Sequence, residues 1–229
     1  MKKLLSLPSF ANLVVALLLG VGGAANAQDA KPGDPVAGEK KAEMCAGCHS
    51  IPRYQASFPE VYKVPKIAGQ GAKYIVSALM AYRKGDRKHP SMRGIAGSLS
   101  DQDMADLGAY FEQLGKGGDD DGATQAATHS EPPAPVAKLL SQANCASCHG
   151  ANFSTPIDPS YPKLAGQHAD YLYAALKSYQ TDHNPRVGRN NAIMMGMARP
   201  FTHPEIKALA AYISSLPGDL KTVPQSRFR

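Results

Sequence analysis

The chain has 229 residues, a formal net charge of +6, 21 Gly, 18 Pro, 4 Cys and no Trp. That length admits one or two domains. Two of the positive charges are Lys2 and Lys3 at the very start, and no long basic run follows them, so nucleic acid binding has little support.

Residues 1–27 read as a secretory signal peptide. Lys2 and Lys3 supply the positive start, Leu13 to Leu19 the apolar centre, and Ala25-Asn26-Ala27 a small-x-small cleavage site. The apolar centre is short of the ~20 residues a bilayer span needs and is flanked by Gly20, Gly22 and Gly23, so cleavage is favoured over an uncleaved anchor.

The first mature segment, 28–115, opens with a predicted helix from Pro35 to Met44 that leads into Cys45-Ala46-Gly47-Cys48-His49. Cys-x-x-Cys-His is the attachment pattern of a c-type haem. Two thiols three positions apart can reach the two vinyl groups on one porphyrin edge, and the His that follows is placed to ligate the iron. A second predicted helix carries Tyr74, Ile75, Ala78, Leu79 and Tyr82 on one face. A third starts at a capping box, Ser100 with Asp103, and continues through Met104, Leu107, Phe111 and Leu114.

A linker rich in Gly, Asp and Pro spans 116–135. Its Asp119, Asp120 and Asp121 read as solvated charge rather than as a calcium site. The segment 136–229 then repeats the first one. A helix from Pro135 to Asn144 leads into Cys145-Ala146-Ser147-Cys148-His149, and Pro65-Lys66-Ile67-Ala68-Gly69-Gln70 recurs as Pro162-Lys163-Leu164-Ala165-Gly166-Gln167. The second-helix face recurs as Tyr171, Leu172, Ala175, Leu176 and Tyr179, and the third helix restarts at Thr202 with Glu205. No strand pattern of any length appears. The expected architecture is all-α, a duplicated domain of three main helices around one covalently attached haem per copy.

Other readings of the cysteines are a zinc site, a thioredoxin-like redox pair or structural disulfides. Paired zinc elements stand roughly 15–20 residues apart, whereas these copies lie about a hundred apart. A redox pair gives no reason for His to follow both times. A Cys-x-x-Cys disulfide closes a loop too small to constrain much.

A sixth iron ligand separates electron transfer from chemistry at an open site. Aligning the third helices superposes Met92 on Met194, each expected in a loop just upstream of the cap. Met195 and Met197 compete with Met194, and His89, His183 and His203 lie in the same loops. Met80 and Met104 fall on core faces, and Met44 is expected to pack. Pro65 and Pro162 recur downstream of the haem motifs, and their carbonyls are the expected acceptors for the proximal histidines.

Taken together, the two attachment motifs, the paired Pro-Lys-x-Ala-Gly-Gln and the Met before Leu99-Ser100-Asp101-Gln102-Asp103 resemble the dihaem cytochromes c4. The resemblance implies two tandem class I cytochrome c domains, exported and often membrane-associated, passing electrons towards terminal oxidases. Carried over by motif, it implies two covalently bound haem c groups on Cys45, Cys48, Cys145 and Cys148, with His49, Met92, His149 and Met194 as axial ligands. The implied partners are redox proteins: a cytochrome bc1-type donor, an oxidase acceptor, or a dehydrogenase subunit. A periplasmic carrier without a catalytic site of its own is the leading reading. The alternative is the electron-accepting subunit of a sulfide- or alcohol-oxidising dehydrogenase, and a dihaem peroxidase ranks below both. Arg83, Lys84, Arg87, Lys88 and Arg93 bracket Met92, while Arg186, Arg189 and Arg199 bracket Met194, a basic surface suited to acidic partners.

Overall fold

The computed structural model describes residues 31–117 and 131–225. The signal peptide, the triple Asp and most of the linker lie outside the described residues. In the first repeat α1 (Pro35–Lys41) and α2 (Glu43–His49) are followed by α3 (Ala72–Lys84), α4 (Pro90–Gly97) and α5 (Asp101–Gly117). The second repeat runs α6 (Ala134–Ala143), α7 (Ala146–His149), α8 (Ala169–Gln180), α9 (Ala192–Ala198) and α10 (His203–Ser215).

The three predicted helices of each copy are present, with additions. The first one breaks just before the haem motif, at Ala42 in one copy and at the left-handed Asn144 (φ 46°) in the other. Each methionine loop is also wound into a short helix. His89 starts α4 and Asn191 starts α9, each side chain accepting the N–H three residues on, which satisfies one orphan donor of a helix start. The capping boxes form as expected. Asp103 Oδ2 accepts from Ser100 N at 2.9 Å and Ser100 Oγ from Asp103 N at 3.1 Å; Thr202 and Glu205 repeat the exchange. Two small antiparallel ladders escaped the sequence reading. They pair β1 (Gln55–Ala56) with β2 (Tyr62–Lys63), and β3 (Arg87–Lys88) with β4 (Gly188–Arg189).

Burial of the periodic faces drives the packing. In the first repeat Ile75, Leu79, Met104, Leu107 and Phe111 form the core, with Met80, Met92 and Leu114 packed against it. The second repeat buries Leu139, Ile206 and Leu209 in one cluster and Phe153, Leu172, Ile213 and Leu216 in another. Helix α1 crosses α5 closely enough that a Cβ on Gly38 would lie 2.1 Å from the Asp106 carbonyl oxygen. At the same crossing Lys41 Nζ lies 2.7 Å from both Asp103 and the buried Asp106. Met44 does not pack as expected: it stands 61% exposed, on the outer side of α2.

The repeats meet face to face. Lys66 N donates to Gln167 Oε1 at 2.9 Å and Gln167 Nε2 to Lys66 O at 2.9 Å. Lys163 N donates to Gln70 Oε1 at 2.9 Å and Gln70 Nε2 to Lys163 O at 3.0 Å. Ladder β3–β4 crosses the same boundary, and Lys63 pairs with Asp170 and Lys177 with Glu60. The pattern is that of an isologous interface, the same patch used from both sides, here within one chain. The tail closes back on the first repeat, Lys221 N donating to Ala68 O at 2.9 Å.

Candidate functional site

Helices α2 and α7 present the attachment motifs. Cys45 and Cys48 stand three apart on α2, a spacing that puts both on one helical side, with His49 at its end. Cys148 and His149 close the single turn of α7, and Cys145 stands at its N-cap. All four thiols are free and half-buried. Burial pushes Cys45 up to about 11 and also raises Cys145, which holds both as protonated thiols.

The histidines are held the same way in both repeats. His49 Nδ1 lies 2.8 Å from Pro65 O, and His149 Nδ1 lies 3.0 Å from Pro162 O. A carbonyl oxygen can only accept, so Nδ1 carries the hydrogen and donates. That tautomer leaves the lone pair on Nε2. Burial lowers the pKa of both rings, against the opposing pull of the proline carbonyl, which keeps the imidazoles neutral and able to ligate a metal. The carbonyl partner also fixes the ring orientation. Both acceptors are the ones the repeat pointed to.

The candidate sixth ligands sit in matching places as well. Met92 is the third residue of α4, its N–H 3.3 Å from His89 Nδ1, and Met194 is the third residue of α9, its N–H 3.0 Å from Asn191 Oδ1. Met92 packs against the first core. Met197, by contrast, is 42% exposed. His89 is occupied in capping α4, and the His203 ring stands edge-on to Tyr173 at 6.2 Å.

Three comparisons with known proteins agree with this duplication. The cytochrome c family model matches twice, at residues 36–115 and 134–217. Cytochrome c4 of Azotobacter vinelandii is 31% identical over 215 residues, covering 89% of this chain and 97% of that protein. The chain belongs to the cytochrome c4 family. A crystal structure of reduced recombinant cytochrome c4 from Pseudomonas stutzeri superposes with a TM-score of 0.58 at 28% identity, covering 81% of this chain and 100% of that one. The fold is therefore two tandem cytochrome c domains, and the protein is an electron-transfer protein. A thiosulfate dehydrogenase electron acceptor of Stutzerimonas stutzeri is also similar, 31% identical over 212 residues, covering 89% of this chain and 92% of that protein.

The two Cys-x-x-Cys-His motifs of this cytochrome c4 fit two covalently bound haem c groups. Independently of family, the chain supplies a pair of neutral, oriented imidazoles and two pairs of free thiols. Among the described residues it also keeps one buried side-chain donor without a hydrogen-bond acceptor, Arg87 Nε.

The basic residues near the two methionines do not form one exposed surface. Arg87 and Arg189 turn into the domain boundary and pair with each other across β3–β4. Arg83 is bound to Asp101 and Arg199 to Asp182, at 2.5 and 2.6 Å, while Lys88 Nζ donates to Asn184 O. Lys84, Arg93 and Arg186 are exposed. Among the described residues no helix is long and apolar enough to cross a membrane.

Proposed function

We propose that this cytochrome c4 is an exported, periplasmic electron carrier that relays electrons between respiratory-chain components, towards a terminal oxidase. In this reading Cys45 and Cys48 hold one haem and Cys145 and Cys148 the other. His49 and Met92 are the axial ligands of the first iron, and His149 and Met194 those of the second. Bound haem supplies a one-electron Fe(III)/Fe(II) couple. The chain's part is to hold each histidine in one tautomer through Pro65 O or Pro162 O, to offer a thioether that favours the ferrous state, and to exclude water with the α3–α5 and α8–α10 faces. No acid–base pair or nucleophile is needed for that task.

The observation that carries the reading is the duplicated histidine-to-proline-carbonyl bond in two domains clasped together. Two redox centres held rigidly in one short chain suit relay in series. The test is the mass and oxidised spectrum of the purified exported protein. Two haem additions and a sulfur-to-iron charge-transfer band in the near red are expected; a mass equal to the bare processed chain refutes the reading.

A second reading has its own support, the similarity to a protein named as the electron acceptor of thiosulfate dehydrogenase. On it, this chain takes electrons from a dehydrogenase oxidising a reduced sulfur compound. A stoichiometric complex recovered from membranes with such an enzyme, rather than with a quinol-oxidising donor, distinguishes the two.

A further inference from the structure

The match to the cytochrome c family ends at residue 217, and beyond it the chain runs on past the last helix as Gly218-Asp219-Leu220-Lys221-Thr222-Val223-Pro224-Gln225. A segment in that place is ordinarily exposed unless something ties it down. Here Leu220 is only 1% and Thr222 only 3% exposed.

The ties fall on both repeats. On the second, from which the tail grows, Asp219 Oδ2 pairs with Lys163 Nζ at 2.8 Å, and a Cβ on Gly218 would lie 2.2 Å from the Ala165 carbonyl oxygen. On the first, Lys221 N donates to Ala68 O at 2.9 Å and Gln225 Nε2 to Tyr110 OH at 3.2 Å, while the Asp219 carbonyl stands close against Gly69. Ala68 and Ala165 are the same position of the repeated Pro-Lys-x-Ala-Gly-Gln motif. The tail therefore passes from one copy of that motif to the other between Gly218 and Lys221. Gln70 and Gln167, at the end of each copy, reach across the boundary at the same place, to Lys163 and Lys66.

An extended segment that bonds through its main chain can dock on a neighbouring chain without matched side chains. Lys221 and Ala68 form one such antiparallel bridge. Next to it Leu220 supplies an apolar anchor, since removing a leucine from water is strongly favourable. The missing side chains of Gly69 and Gly218 let the backbones approach.

We propose that residues 218–225 are a strap that closes the seam between the repeats, and that their seating on Ala68 and Gly69 keeps water out of the glutamine bonds beside it. The strap makes a boundary otherwise built from two equivalent halves depend on one unpaired segment of the second. This goes beyond the electron-carrier reading and does not rest on it, because every contact used is made by the polypeptide.

The experiment is amide hydrogen exchange, followed by NMR, of the reduced holoprotein as the full chain, as a chain ending at Pro217, and as Lys221→Pro. The last variant removes the N–H that Ala68 O accepts and leaves the Asp219–Lys163 pair in place. Lys66 N and Lys163 N report the seam, and Leu107 N and Leu209 N report the two helical cores. Truncation is expected to speed exchange at both lysines by roughly ten- to a hundredfold, the equivalent of one buried leucine and one main-chain bond, with both leucines unchanged. Lys221→Pro should move the same two amides in the same direction by a smaller factor. Unchanged lysine rates overturn the strap, as does acceleration confined to Lys163, which would make the tail part of the second repeat alone. Equal acceleration at all four amides also overturns it, because the tail would then support general stability rather than the seam. If the truncated chain does not fold, Lys221→Pro is judged by the same outcomes.

Discussion

Gln70 and Gln167 hold the same position in the two repeats and clasp each other's chain: each side chain bonds both the N–H and the carbonyl of the lysine three residues before its counterpart's alanine-glycine turn has ended, Lys163 for Gln70 and Lys66 for Gln167. Both amides are nearly fully buried, at 4% and 3% exposure. Each therefore satisfies one main-chain donor and one acceptor, buried at Lys66 and partly buried at Lys163.

Removing either clasp should be expensive. Gln167→Ala strands Lys66 N and O, and an unsatisfied buried group costs about 1–3 kcal/mol, so a loss of ~2–4 kcal/mol is expected. Gln167→Glu keeps the shape but faces the Lys66 carbonyl with an oxygen, and it should be no better than Ala. Calorimetry of the holoprotein measures both. A Gln167→Ala melt matching wild type would show that the clasp is dispensable.

The repeated glycine of the same motif answers to backbone geometry. Gly69 has φ 84°, and a Cβ there would meet the Asp219 carbonyl oxygen at 2.2 Å. Gly69→Ala thus combines left-handed strain with a main-chain clash and should cost ~3 kcal/mol or more. Gly94, inside α4, meets nothing within 4 Å, so Gly94→Ala should gain ~0.5–1 kcal/mol from helix propensity. Opposite signs in paired denaturant titrations are the expected result.

Acid should loosen the α1–α5 crossing. The Lys41 ammonium, followed by Ser100, pulls Asp103 down to about 2. Burial works against Asp106, but Lys41, the Asp34 N–H and Gln102 outweigh it and leave its pKa lowered too. An unfolded Asp titrates near 3.9. Folded values below unfolded ones mean that this stability is complete above about pH 4 and is lost as pH falls towards 2. For Asp103 the share is ~1 kcal/mol after allowance for solvent screening. Lys41→Met should cost ~3 kcal/mol at neutral pH by leaving the Asp106 carboxylate buried without a cation, and it should flatten the acid limb of the stability profile.

Much of this was legible before any coordinates because the chain states it twice. Pro65 and Pro162 could be named as histidine partners since each opens the Pro-Lys-x-Ala-Gly-Gln segment that recurs downstream of its haem motif. Helices α4 and α9 were not foreseen, because the methionine segments read as loops, His89 stood there as a rival ligand rather than as a cap, and Asn191 carried no signal of its own. The clasp stayed hidden although both glutamines were visible, since its partners lie 93 and 101 residues away. Arg87 and Arg189 were grouped with surface cations for the same reason: only the pairing of β3 with β4, an inter-domain event, turns them inward.

The methionines provide the sharpest test of the haem sites, because their helices are so alike. The N–H of Met92 and that of Met194 are both taken by a cap three residues earlier, which fixes where each side chain leaves its helix. A thioether opposite imidazole raises the potential of the couple. Met92→Ala should therefore abolish about half of the sulfur-to-iron band and lower one midpoint while the other moves little, and Met194→Ala should do the reverse. The double variant should lose the band entirely but keep both haems, since the thioether bonds to Cys45, Cys48, Cys145 and Cys148 do not depend on the sixth ligand. A Met194→Ala protein that retains its full band would transfer the role to Met195, which is also half-buried in the same helix.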